Sequence, residues 1–94
     1  MEAVYALRVP EIARFLGIKI IMWFNDHGEP HFHARYGQHA AKIRIRDAAL
    51  LDGRLPPRVA ALVVEWTLLN QAALFEAWDQ VREGRKPAKI KGLE

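Results

Sequence analysis

The chain has 94 residues, a net charge of +3 and no cysteine. This length allows one domain with a small core, so we expect residues 1–94 to form a single domain. The lack of cysteine excludes disulfides and thiolate chemistry, and no apolar run reaches the roughly 18 residues of a membrane span, so we expect a cytoplasmic protein without membrane contact.

The N-terminal part has the least regular pattern. Residues 10–16, with the sequence PEIARFL, fit either a short helix or a strand before the bend at Gly17. We favour an extended edge segment, which would place a fourth strand beside the sheet that follows.

Three strands are predicted next. Residues 18–24 are rich in branched and aromatic side chains, and residues 25–30, NDHGEP, are predicted to turn because Gly28 tolerates a positive φ and Pro30 lacks a backbone N–H. Residues 31–36 and 41–46 then alternate with a period of two. Together these segments predict an antiparallel meander of three strands.

An amphipathic helix is predicted from Pro57 to Glu83. Apolar side chains recur there at steps of three and four residues: Val59, Leu62, Val63, Trp66, Leu69, Ala73, Ala77 and Val81. The helix, or a pair broken near residues 70–71, would cover one face of the sheet and make the fold α+β. Val64 and Leu68 lie off this stripe, so a homodimer or a partner protein could bury the surplus apolar surface. Residues 85–94 form a basic tail that we expect to be partly mobile.

Alternation sorts the strand side chains onto two faces of the predicted sheet. One face is almost wholly apolar and should meet the helix: Ile18, Ile20, Met22, Phe24, Phe32, Ala34, Tyr36, Ala41, Ile43 and Ile45. The other face concentrates the positive charge: Lys19, Ile21, Trp23, His31, His33, Arg35, Lys42, Arg44 and Arg46.

Cations beside an aromatic side chain suit phosphate contacts combined with base stacking, which is how many proteins bind single-stranded nucleic acid. The predicted RNA-binding residues are Lys19, Trp23, Lys42, Arg44 and Arg46. The alternative is an ordinary solvated face, since an antiparallel sheet covered on one side carries polar side chains on the other.

His31 and His33 lie two residues apart and therefore project to the same side, with Asp26 and His27 of the turn within reach. One histidine could act as general acid or base on an RNA 2′-hydroxyl, with Arg35 or Arg44 stabilising the developing charge, which predicts a metal-independent endoribonuclease without a cofactor. The His-x-His pair could instead bind a metal ion together with a carboxylate or with His27. A third alternative is that the histidines only hydrogen-bond the turn or a partner, while Asp26 closes the turn through its backbone.

Residues 25–36, NDHGEPHFHARY, resemble the small bacterial family catalogued as domain of unknown function 4160, whose motif is Asn-Asp-His, a Pro-Pro or x-Pro pair, then His-aromatic-His. Residues 12–15, 41–43, 55–56, 65–66 and Trp78 extend the similarity. Glu29 and Pro30 stand where the family often has two prolines, a difference that should alter the stiffness of the turn more than its chemistry.

Members of that family are often encoded beside another small protein. The resemblance therefore implies a component of a toxin–antitoxin-like two-gene module, with a small neighbouring-gene protein as its partner. It also implies RNA as the target, because the compact basic plan of a sheet and a helix is similar to that of RNA-cleaving toxins. A non-catalytic interaction module and a histidine-based metal protein remain as alternatives.

Overall fold

Five strands, taken in chain order, form one antiparallel sheet. The computed structural model describes residues 10–93. The strands are β1 Glu11–Phe15, β2 Ile18–Ile21, β3 His31–Tyr36, β4 His39–Arg44 and β5 Leu50–Arg54, and their order in the sheet is their order in the sequence. Two helices follow, α1 Pro57–Leu69 and α2 Gln71–Arg82. The α+β class and the antiparallel meander are confirmed, but the sheet has five strands where the sequence predicted three or four.

The first strand, β1, confirms the extended edge segment predicted before Gly17. It pairs with β2 through a tight turn in which Leu16 and Gly17 both have a positive φ. Residues 1–9 of the predicted N-terminal part lie outside the described residues.

The fifth strand, β5, is absent from the sequence-based prediction. Its sequence, LLDGR, does not alternate, all of its side chains are exposed, and Asp-Gly is typical of a turn. The strand forms because its backbone pairs with β4, in a register that shifts at a bulge between Lys42 and Ile43. Edge pairing of this kind depends on the neighbouring backbone, so the periodicity of residues 50–54 does not reveal it.

Two of the predicted strands have different ends in the structure. β2 ends at Ile21 rather than at residue 24, because the Asp26 N–H donates to the Trp23 carbonyl oxygen (3.1 Å) and starts the turn early. β4 covers residues 39–44 rather than 41–46, because the Ala48 N–H donates to the Arg44 carbonyl oxygen (2.8 Å) and turns the chain toward β5.

The helical region is a pair broken at Asn70, one of the two forms that the sequence predicts. The Asn70 N–H bonds the Thr67 carbonyl (3.1 Å) and its side-chain amide bonds the Trp66 carbonyl (2.8 Å), so α1 ends there and α2 leaves at 85°. Gln71 donates to two carbonyls just after β4, which ties the start of α2 to the sheet. Within residues 10–93, neither helix is long and apolar enough to cross a membrane by itself, and the bent pair passes that test only by its joint length and composition.

The core lies between the apolar face of the sheet and the two helices. Trp66 of α1 is fully buried, with its ring centroid 5.3 Å from that of Phe15 and 5.8 Å from that of Phe32. Its indole N–H donates to the Lys91 carbonyl oxygen (2.9 Å), and the Ile90 N–H donates to a carbonyl of β1 (2.7 Å). Part of the basic tail is therefore packed along β1, while the mobility of residues 85–94 stays a prediction.

Candidate functional site

The sheet surface that carries Lys19, His33 and Arg35 is the candidate site, and we call it the polar face. Side chains of the opposite parity are buried in the core: Ile18, Ile20, Phe32, Ala34, Ala41 and Ile43. Residues of the polar face pair with one another across the strands: Lys19 with Arg35, His33 with Lys42, and His31 with Arg44. The predicted division of the strands into two faces therefore holds for these residues, but Ile21 and His31, predicted on the polar face, are buried, and Tyr36, predicted on the apolar face, is 36% exposed.

Three cations lie side by side across β1, β2 and β3, and we call Arg14, Lys19 and Arg35 the cationic ladder. Arg14 is paired with Lys19, and Lys19 with Arg35, so their side chains occupy neighbouring positions on the polar face. They line an open cavity of about 280 Å³. Arg14 forms an ion pair with Glu11 (2.7 Å), whereas Lys19 and Arg35 form none within the described part of the chain.

Sequence reasoning found two members of this ladder and missed Arg14. The strand character of residues 11–15 was only weakly indicated, so no face could be assigned to them from the sequence. The spacing of Arg14 and Lys19 across the Leu16–Gly17 turn could have indicated this position, because a tight hairpin there places the two residues opposite each other.

Carboxylates surround the part of the predicted basic surface that lies around Arg44. Arg44 donates to Glu29 (2.8 Å) and to Asp47 (2.8 and 2.9 Å), and these hydrogen bonds from Arg44 lower the pKa of Asp47 to about 2. Arg46 lies 3.9 Å from the other oxygen of Glu29. At these two arginines the predicted concentration of positive charge is reduced, because the loops on either side of the strands supply counter-charges.

Trp23 and Lys42 flank His33 on the polar face. The ring of Trp23 meets the ring of His33 edge-on, with centroids 5.6 Å apart, and remains partly exposed. Lys42 is opposite His33 on one side and opposite Asp52 of β5 on the other, and these three residues border a cavity of about 140 Å³. The predicted stacking residue and one predicted cation are thus brought together around a histidine.

Asp26 joins the two histidines of the motif, and we call Asp26, His31 and His33 the Asp–His–His cluster. Oδ2 of Asp26 lies 2.8 Å from Nε2 of His31 and 3.1 Å from Nε2 of His33. Oδ1 of Asp26 accepts from the His27 backbone N–H (3.2 Å), and Asp26 also closes the turn through its own N–H, as predicted. The side chain of His27 is exposed and is not part of the cluster, which differs from the predicted metal set of His27, His31 and His33.

His31 is the most deeply placed member of the cluster. Its side chain is 1% exposed, its ring centroid lies 5.1 Å from that of Trp78 in α2, and its Nδ1 lies 2.8 Å from the Glu29 carbonyl oxygen. Both ring nitrogens are therefore engaged inside the protein. This arrangement does not place His31 at the rim of the polar face, where an acid or base acting on bound RNA would have to lie, because α2 turns back over the start of β3.

The surroundings of His33 and Asp26 shift the pKa values of both side chains. Burial lowers the pKa of His33 below its ordinary value, and the hydrogen bond to Asp26 opposes this shift. Burial by itself would raise the pKa of Asp26, but the hydrogen bonds and charges of His33 and His31 outweigh it and lower that pKa. The Asp26 carboxylate of the cluster is therefore ionised at neutral pH.

Comparison with known proteins gives one match. The sequence model of a family described as Domain of unknown function (DUF4160) matches residues 17–79, about two thirds of the chain, from the turn before β2 into α2. No curated protein and no solved structure matches the chain.

Proposed function

We propose that this chain, which belongs to the family described as Domain of unknown function (DUF4160), binds single-stranded RNA on the polar face of its sheet. The observation that carries this proposal is the cationic ladder of Arg14, Lys19 and Arg35 on three adjacent strands. Like charges placed directly opposite each other destabilise a sheet, and a bound phosphate would relieve that repulsion.

The surroundings of the ladder suit a nucleic-acid strand. The ladder borders an open cavity of about 280 Å³, in which a phosphate group could contact more than one cation. Lys42 lies on the next strand, paired with His33, and Trp23 offers a partly exposed aromatic ring beside His33. Arg35 and His33 lie two residues apart along β3, a span of about 6.7 Å, so a phosphate at the ladder would lie near the histidine that the Trp23 ring meets.

The contribution of the remaining predicted RNA-binding residues is smaller. Arg44 is already hydrogen-bonded to two carboxylates, and Arg46 lies near one of them. A phosphate at Arg44 would have to compete with Glu29 and Asp47, and one at Arg14 would have to compete with Glu11, so we place the main contacts at Lys19, Arg35 and Lys42.

Binding does not by itself supply cleavage. A general acid or base must reach the proton that it transfers, and His31 is buried with both ring nitrogens engaged. We therefore propose no catalytic role for His31. The metal-independent endoribonuclease activity that the sequence predicts, with His33 and Arg35, stays a prediction.

The salt dependence of RNA binding tests the proposal. For a short single-stranded RNA, the slope of log K against log salt should be negative, with about 0.7 per phosphate contact. Replacing two cations in a Lys19→Gln, Arg35→Gln variant should weaken binding at low salt at least about tenfold and reduce the magnitude of the slope by about 1.4. Fluorescence anisotropy of a labelled RNA over a salt series measures both quantities.

A matched control removes the same charge elsewhere. Arg58 and Lys86 are exposed and lie outside the sheet. An Arg58→Gln, Lys86→Gln variant should therefore bind the RNA with nearly the affinity of the wild type. A flat salt dependence of the wild type, or an equal loss of affinity in the two double variants, would remove the proposed site.

The biological setting that we propose is a cytoplasmic, toxin–antitoxin-like two-gene module, with a small neighbouring-gene protein as partner. What supports it is the resemblance of the family together with the basic sheet and helix plan. We expect induction of this chain alone to slow bacterial growth and coexpression of the neighbouring gene to restore it. Normal growth with the wild-type chain, at a verified expression level, would contradict this setting.

The homodimer predicted from the helices concerns a different surface. Four large apolar side chains of α1 and α2 are exposed: Val64, Leu68, Leu69 and Phe75. Val64 and Leu68 are the surplus that the sequence indicates. Leu69, predicted on the stripe that covers the sheet, is 68% exposed because α1 ends there. Burial of this surface by a second copy or by the partner protein stays a prediction.

A further inference from the structure

We propose that Asp26, His31 and His33 bind one divalent transition-metal ion through Oδ2 of the aspartate and Nε2 of both histidines. The three ligand atoms lie within 4.8 Å of one another in the described part of the chain. This proposal concerns the Asp–His–His cluster and does not depend on RNA binding at the cationic ladder.

The spacing of the aspartate oxygen from each histidine nitrogen suits neighbouring donors of one metal ion. Metal–nitrogen and metal–oxygen bonds of about 2.0–2.2 Å place neighbouring donor atoms about 2.9 Å apart at right angles and about 3.4 Å apart at the tetrahedral angle. Oδ2 of Asp26 is 2.8 Å from Nε2 of His31 and 3.1 Å from Nε2 of His33, and all three atoms lie within 4.8 Å of one another. Two imidazoles and one carboxylate form the donor set found with Zn²⁺ and with non-haem Fe²⁺.

The second ring nitrogen of His31 supports this assignment independently. The Glu29 carbonyl oxygen can only accept a hydrogen bond, so Nδ1 of His31 donates to it over 2.8 Å. This contact orients Nε2 toward Asp26. A histidine that ligates a metal through one nitrogen usually donates its other N–H to a carbonyl or a carboxylate in this way.

The short contact between Nε2 of His31 and Oδ2 of Asp26 also requires a proton or a metal ion that both atoms bind. With Nδ1 protonated, Nε2 of a neutral His31 turns a lone pair toward Oδ2 of Asp26, 2.8 Å away. An ionised carboxylate also offers only lone pairs, so a proton or a metal ion must join the two atoms. A divalent ion bound by both atoms satisfies both of these lone pairs.

Neighbouring positive charge does not prevent a cation from binding there. Arg44, opposite His31, is held by Glu29 and Asp47, and Lys42, opposite His33, faces Asp52. The side chain of Asp26 itself makes no contact with an arginine or lysine within residues 10–93. The charge balance at the cluster is therefore compatible with a divalent ion.

The site is rigid on one side and open on the other. His31 and His33 come from a central strand, and Trp78 packs over the ring of His31. His33 is 27% exposed and Asp26 is 22% exposed, so solvent reaches the cluster from the polar face. Three protein ligands with an accessible side leave coordination positions for water or another ligand.

Calorimetric titration of Zn²⁺ into the untagged, EDTA-treated and dialysed chain tests the proposal. We expect one ion per chain for the wild type. His33→Ala and Asp26→Asn should each weaken binding at least about tenfold. His27→Ala and His39→Ala are matched controls, because both histidines are exposed and lie outside the cluster, and they should leave the affinity unchanged.

Folding is monitored separately, because His31 is buried and its replacement could unfold the chain. The His33→Ala and Asp26→Asn variants are therefore used first, with circular dichroism to verify that they are folded. Zn²⁺ should raise the unfolding temperature of the wild type but not that of folded His33→Ala. Absence of stoichiometric binding, or an equal loss in the His27→Ala or His39→Ala control, would overturn the metal site while leaving RNA binding untouched.

Discussion

Trp66→Ala should lower the free energy of unfolding by about 3–5 kcal/mol. The side chain is fully buried, its ring meets Phe15 and Phe32, and its N–H bonds the Lys91 carbonyl (2.9 Å). Removing it leaves a cavity between α1 and the sheet and releases the C-terminal segment. Since small domains have about 5–15 kcal/mol of stability in total, the variant should lose a large part of its stability. Urea unfolding followed by circular dichroism measures the loss.

Two further variants separate the contributions of Trp66. Trp66→Phe keeps an aromatic ring in the core but leaves the Lys91 carbonyl without its donor. It should therefore lower the free energy of unfolding by less than Trp66→Ala does. Leu69→Ala, in the same helix but 68% exposed, should change the stability by at most about 0.5 kcal/mol. A Trp66→Ala variant within about 1 kcal/mol of the wild type would show that the core is arranged differently.

Gly53→Ala should lower the free energy of unfolding by more than about 2 kcal/mol, although Gly53 is exposed. Gly53 has φ +80°, and a Cβ atom there would meet the Ala40 carbonyl oxygen and lie 2.9 Å from Ala41 Cα. Both contacts are with the backbone of β4, which cannot move aside without disturbing the sheet. The variant should therefore strain the pairing of β5 with β4, and its free energy of unfolding tests this directly.

Gly37→Ala is the matched control for Gly53→Ala. Gly37 also has a positive φ, +59°, but no atom lies within 4 Å of the position that its Cβ would take. Gly37→Ala should lower the free energy of unfolding by only roughly 1–2 kcal/mol, which is the cost of an alanine in the left-handed conformation. Equal losses in the two variants would mean that β5 does not pack against β4 as closely as the structure shows.

The prediction from the sequence was most successful where it depended on local geometry. Successive side chains of a strand point to opposite faces, so Ile20 and Phe32 could be assigned to the core, and Lys19 and His33 to the polar face, before any pairing was known. The break at Asn70 was anticipated as one of two helical forms. Asp26 was also expected near His31 and His33, because a short turn cannot carry it far from the strand that follows.

The errors concern partners that lie far apart in the chain. β5 was missed because its pairing depends on the backbone of β4 and not on its own pattern. The counter-charges of Arg44 come from Glu29, 15 residues before it, and from the turn after β4. The sequence places His31 on the polar face as a candidate acid or base, whereas Trp78 of α2 covers it.

By itself, the sequence determined the family resemblance, the two faces of the sheet, the helical segments and the side on which the two histidines of the motif lie. Each of these follows from the covalent geometry of a few neighbouring residues. Only the tertiary structure decided that Arg14 completes a ladder with Lys19 and Arg35, that Arg44 is neutralised, and that Asp26 joins a buried and a half-buried histidine. The reason is physical: burial and charge pairing depend on which distant segments fold against each position, and the local pattern does not contain that information.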